Sequence, residues 1–151
     1  MNCRDALKEL RCYRVLKLDI KECQNRIHAI SNGVIHSMTF NTSGVSNSPA
    51  AENRTENKYI NIIEERDRLS RRIAEDEERI KRIENYISRI YDKLTRYIFE
   101  QHIYRGRTFG EIARKLDDRP TEDGIKRRVY RTLEDKPFTK RLDFDLDSLF
   151  D

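Results

Sequence analysis

Over residues 59–104, apolar side chains recur at alternating steps of three and four: Tyr59, Ile62, Leu69, Ile73, Ile80, Ile83, Ile87, Ile90, Leu94 and Tyr97. All ten occupy the a and d positions of one heptad register, which only Arg66 and Asp76 interrupt with charge. No Pro or Gly lies between Pro49 and Gly106. The pattern therefore predicts one unbroken helix, roughly 70 Å long at about 1.5 Å per residue. A lone helix cannot bury such a stripe, so another helix must cover it.

Residues 4–31 supply a second run of the same period, Leu16, Ile20, Cys23, Ile27 and Ile30, with Val34 one step further on. An antiparallel hairpin is the simplest way to cover both stripes. The shorter run covers only part of the longer seam. Ile73, Ile80, Ile83, Ile87, Ile90 and Leu94 are thus expected to form the seam of a homodimer. Between the runs, residues 31–58 are rich in Ser, Asn and Thr and predict a flexible connection, with residues 35–40 extended. The next helix is expected to open at Ser48-Pro49 or near Asn53.

Hydrophobic residues make up 36% of the 151-residue chain and charged residues 38%, with no Trp and five Gly. That is thin for a globular core and ordinary for helices with one apolar stripe. The expected fold class is all-α: an N-terminal helical hairpin or coiled coil over residues 1–94, its long helix leading into a C-terminal helix-turn-helix over 95–136, then a tail, 137–151. The net charge of +4 is uneven, at +3 for residues 1–31, +5 for 95–141 and −4 for 142–151. A basic C-terminal module points to nucleic acid. Cys3, Cys12 and Cys23 form no paired motif and have no His beside them, which suits reduced thiols in a cytosol and no metal site. No apolar run approaches the length of a membrane span. With no Gly-rich phosphate loop, no nucleophile beside a base and no ligand cluster among His28, His36 and His102, neither an enzyme nor a cofactor is expected.

From Thr95 the pattern changes. Gly106 is a helix stop, and Thr108-Phe109-Gly110-Glu111 is a capping box opening a short helix over 109–116. Residues 117–120 turn the chain. Thr121 caps a last helix to about Glu134, with Ile125, Val129 and Leu133 inward. At about 100° per residue, Arg127 and Arg131 point away from that apolar side, sharing the outer half with Asp123 and Tyr130. These four are the candidates for reading base edges, Arg being suited to guanine. Lys126 and Arg128 flank them at phosphate height. Thr121, Thr108 and Arg107 complete the phosphate candidates, through the helix starts that the two threonines mark. Glu122 and Asp123 place acid at the start of this helix, and Gly124 in its first turn costs about 1 kcal/mol relative to Ala.

The run 97–116, Tyr-Ile-Phe-Glu-Gln-His-Ile-Tyr-Arg-Gly-Arg-Thr-Phe-Gly-Glu-Ile-Ala-Arg-Lys-Leu, resembles a pattern of small phage-encoded regulators related to RinA and ArpU. Residues 125–133 are similar to their recognition helix, and the layout of helix, polar loop and heptad helix also matches. The chain departs from the family at residues 119–124, where a shorter Ser-rich turn is usual. The resemblance implies a sigma-factor-like helix-turn-helix, cytoplasmic location in a bacterial host, and control of late or packaging genes of a phage or mobile element.

The expectation is a dimeric, sequence-specific regulator that binds double-stranded DNA. The rivals are a small-terminase-like packaging subunit and a protein-binding adaptor whose helix-turn-helix does not touch DNA. The tail alternates Leu142, Phe144, Leu146, Leu149 and Phe150 with Asp143, Asp145, Asp147 and Asp151. It is expected to compete with phosphate for Arg127, Arg128 and Arg131, and to dock on a partner such as RNA polymerase.

Overall fold

A computed structural model describes residues 2–40 and 49–139, with side chains for 2–33 and 56–139. The tail 142–151 and the side chain of Val34 lie outside the described residues. The fold is all-α, and no strand occurs among the described residues. The helices are α1 (Cys3–Arg11), α2 (Tyr13–Phe40), α3 (Pro49–Ser88), α4 (Lys93–Phe99), α5 (Phe109–Lys115) and α6 (Glu122–Asp135), with α4 continuing into a π-helical segment, Glu100–Tyr104. They build two compact units, one from the first sixteen residues together with Glu78 onward, the other from Lys17–Glu77. This division cuts across the expected boundary at residue 94.

The Lys17–Glu77 unit is the anticipated antiparallel hairpin. Arg72 grips Asp19 with two hydrogen bonds of 2.6 Å, and Arg26 meets Glu65 at 3.2 Å. The partners advance along α2 as they retreat along α3, which fixes the opposed direction. Cys23 and Leu69 are buried, and so is Asp76 at 8% exposure, the charge that interrupts the heptad run. Exposed ion pairs contribute only about 0.2–1 kcal/mol each, so the apolar stripe holds the hairpin and the charges select its alignment. The connection is shorter than expected. Residues 31–40, the expected extended segment among them, continue α2, and α3 opens at Pro49. Once a helix is nucleated, each further residue adds a backbone hydrogen bond at little cost, which the polar composition of these segments did not outweigh.

In the other unit two expectations are overturned. The long helix does not run unbroken from 59 to 104: it ends at Ser88, and α4 begins at Lys93. The Ser88 hydroxyl bonds back to the Asn85 carbonyl, the Ile90 amide reaches only as far as Ile87, and Asp92 then caps α4 by accepting from the Thr95 amide and hydroxyl. A short polar side chain that offers the backbone another partner is a helix start in its own right. The heptad register fails with the helix. Leu94 is 37% exposed, whereas Thr95, Ile98 and Phe99 are buried.

The second correction concerns the dimer seam. Ile80, Ile83, Ile87 and Ile90 are all buried within one chain, Ile83 completely. The end of α3 and the break after it are enclosed by the same chain. Arg79 binds Glu9 on α1 at 2.8 Å, and Glu84 accepts from the Tyr13 hydroxyl at 2.8 Å. The Tyr86 ring meets Phe99 and Phe138 edge-on, and its hydroxyl donates to the Lys136 carbonyl. Burial pushes that phenol up to about 12. Heptad spacing reveals that a stripe must be covered, but α1 and the C-terminal elements do the covering. Of the six seam residues only Ile73, half-buried, and Leu94 retain exposed surface.

His102 ties this unit together. Its Nδ1–H donates to the Arg107 carbonyl at 2.7 Å, its Nε2 accepts from Arg11 on α1 at 2.9 Å, and its ring stacks on Phe109 at 4.2 Å. Gly106 turns the chain between them with φ of 67°, and the Arg14 guanidinium lies where a Cβ would sit. Only glycine suits both conditions.

Two predictions follow from this core. Ile87→Ala should destabilise the chain by about 2–5 kcal/mol in chemical denaturation, reporting unfolding rather than dissociation. His102 is held below the ordinary imidazole value of 6.5, first by burial and then by the Arg11 cation, against an opposing hydrogen bond to Arg107. Because the unfolded chain takes up the proton more readily, this contribution is complete above pH 6.5 and is lost as the pH falls through the folded value. His102→Gln should flatten the stability profile over that acid window.

Candidate nucleic-acid interface

α5, the turn after it and α6 form a helix-turn-helix whose caps match the sequence. Thr108 accepts from the Glu111 amide at 3.3 Å, and Glu111 returns the bond to the Thr108 amide at 2.8 Å. These bonds hold the Glu111 carboxyl below the usual carboxylate range. Thr121 accepts from the Gly124 amide at 3.1 Å. Between the helices Arg119 adopts a positive φ of 42°, a conformation uncommon outside glycine. Gly110 faces the start of α6, where a Cβ would stand 3.1 Å from Glu122 Oε2.

α6 is anchored by Ile125, Val129 and Leu133, each at most 3% exposed. Opposite them Asp123, Arg127, Tyr130 and Arg131 line one shallow depression with Lys126 and Glu134. All four base-reading candidates thus share a surface. Three cations there face two carboxylates, so the site is basic without being uniformly so. Tyr130 is half-buried and the other three are exposed.

The phosphate candidates separate. Lys126 stands exposed on one flank of the face. Arg128, on the opposite flank, reaches Asp92 at 3.3 Å and is held by an acid of its own chain. The Thr108 amide is taken by Glu111, so the expected free donor at that helix start is absent. Thr121 uses its hydroxyl as a cap, and Arg107 is half-buried with its carbonyl on His102.

α1 adds residues that sequence reading missed. Asn2, Cys3 and Arg4 line an adjoining depression with Lys126, Tyr130 and Glu134, extending the face along one side of α6. The positive charge of residues 1–31 was visible, but nothing in spacing or composition placed Arg4 beside a helix more than a hundred residues away.

In comparisons with known proteins, no family model, no curated protein and no solved structure matches the chain.

Thr108→Ala removes a cap rather than a phosphate ligand. It should lower stability by about 1 kcal/mol, visible in denaturant titration, and leave the salt dependence of any ligand binding unchanged.

Proposed function

We propose that this chain is a sequence-specific regulator that binds double-stranded DNA, with α6 as the helix that enters the major groove. One observation carries the reading: a helix anchored by three buried residues presents Arg127 and Arg131 on its exposed side, directly after a short helix and a capped turn. A major groove admits one helix, and the Arg fork pairs with guanine O6 and N7. Lys126, and Arg4 on α1, supply affinity by facing phosphate on one flank. The resemblance to RinA- and ArpU-related regulators extends the proposal to late or packaging genes of a phage or mobile element. Homodimerisation belongs to the same proposal. Ile60 and Ile63 on α3, 52% and 58% exposed, are better suited to it than the buried isoleucines.

Arg127→Ala should reduce preference among sequences by about 1–3 kcal/mol at one base position. Lys126→Ala should weaken all duplexes about equally and flatten the salt dependence by about one phosphate contact. Selection of bound fragments from a random pool, followed by titration at several salt concentrations, separates the two. Non-selective losses from both would place the reading face elsewhere on the molecule.

A protein-binding reading draws on Glu122 and Asp123, exposed at the end of α6 that would meet DNA, and on Arg128, which already meets Asp92. Absence of salt-sensitive duplex affinity in the same titration would favour it.

A further inference from the structure

The break between α3 and α4 creates a corner that an unbroken helix would not possess. Ser88, Arg89, Tyr91, Lys93 and Arg96 surround an open depression of about 640 Å³ there. Tyr91 is 93% exposed, more than any other large apolar residue described. A tyrosine held out in water forgoes the burial its ring would gain elsewhere, while its hydroxyl stays free to donate. Arg89 and Lys93 are exposed, and among the described residues neither forms an ion pair; Arg96 meets Glu100 only at 4.0 Å. The one acid in the corner, Asp92, is exposed, and its carboxylate is engaged by Thr95 and by Arg128. Three cations and one paired carboxylate thus surround an aromatic hydroxyl, a net positive combination suited to a sugar-phosphate strand.

The position of the corner fits that partner. At about 100° per residue, Arg127 and Arg131 lie at the middle of the exposed face of α6, Lys126 and Tyr130 toward one flank, and Arg128 on the other. The Asn2-to-Arg4 end of α1 borders the first flank, and the Arg128–Asp92 pair joins the corner to the second. A helix about 10–12 Å across fills a major groove about 12 Å wide, so phosphates pass along both of its sides. We infer that the α3–α4 corner is a second phosphate-contact site, in which Arg89, Lys93 and Tyr91 hold the DNA strand that borders α6 on its Arg128 side. This rests on the DNA-binding reading above and adds a contact that neither the helix-turn-helix nor the heptad pattern contains.

The test is fluorescence anisotropy of a labelled random-sequence duplex with the full chain over a series of salt concentrations. R89A/K93A should make the plot of log affinity against log salt less steep by about 1.8, the loss of two phosphate contacts at about 0.9 each. Y91A should weaken binding severalfold at every salt concentration with the slope unchanged, because it removes no charge. A charge-matched pair on α3, R71A/K81A, should change the slope far less. All these positions are exposed, so the unfolding midpoints should stay at the wild-type value. If the wild type binds and R89A/K93A leaves the slope unchanged, or changes it no more than R71A/K81A does, the corner site is overturned while the DNA reading stands. A wild type without duplex affinity overturns both.

Discussion

The isoleucine stripe on the last turns of α3 and just beyond its end is the constraint on which the C-terminal unit depends. Ile80, Ile83, Ile87 and Ile90 cannot face water, and a helix cannot cover its own surface. The chain meets this need with segments from both ends of its sequence. α1 approaches through Glu9, and Tyr13 at the start of α2 approaches beside it. α4 and the residues after α6 close in around Tyr86. The helix-turn-helix is therefore not an appendage on a coiled coil. It shares its core with the N-terminus, and α6 stands where it does because Phe138, just beyond it, is buried against Tyr86.

The cationic surface inherits its shape from that core. Each outward cation on α6 is outward because Ile125, Val129 and Leu133 turn the opposite side in. The termination of α3 at Ser88 brings Asp92 within reach of Arg128 and leaves Tyr91 in water. His102 holds the pieces together through three elements at once, and its neutral state is a condition of the arrangement, since a proton on Nε2 would set two cations against each other. The same unit that presents arginine to solvent is thus braced internally by a neutral imidazole.

Much of this was legible in the sequence. Period placed the hairpin and its antiparallel sense, Cys23 on its buried side, and the division of α6 into buried and cationic sides, while residue type placed the capping box at Thr108, the cap at Thr121 and the stop at Gly106. These are local or periodic signals, in which a residue's role follows from neighbours within about two turns. The departures have two causes, one local and one tertiary. A heptad register continues on paper through residues 88–94, whereas Asp92 and Thr95 form a cap that competes with helix continuation. The seam isoleucines carry the spacing of a coiled coil and are covered by unlike helices of the same chain.

Sequence alone determined that the chain would be helical, where its apolar stripes lie, and which side of α6 carries charge, because helix periodicity converts residue order directly into faces. Tertiary structure decided what covers each stripe, which arginine is already paired, and which distant residues meet at the interface. Arg4 beside Lys126, Arg11 on His102 and Asp92 on Arg128 are encounters between segments far apart in the chain. Spacing within one helix carries no information about such meetings, since they depend on how whole helices pack to exclude water.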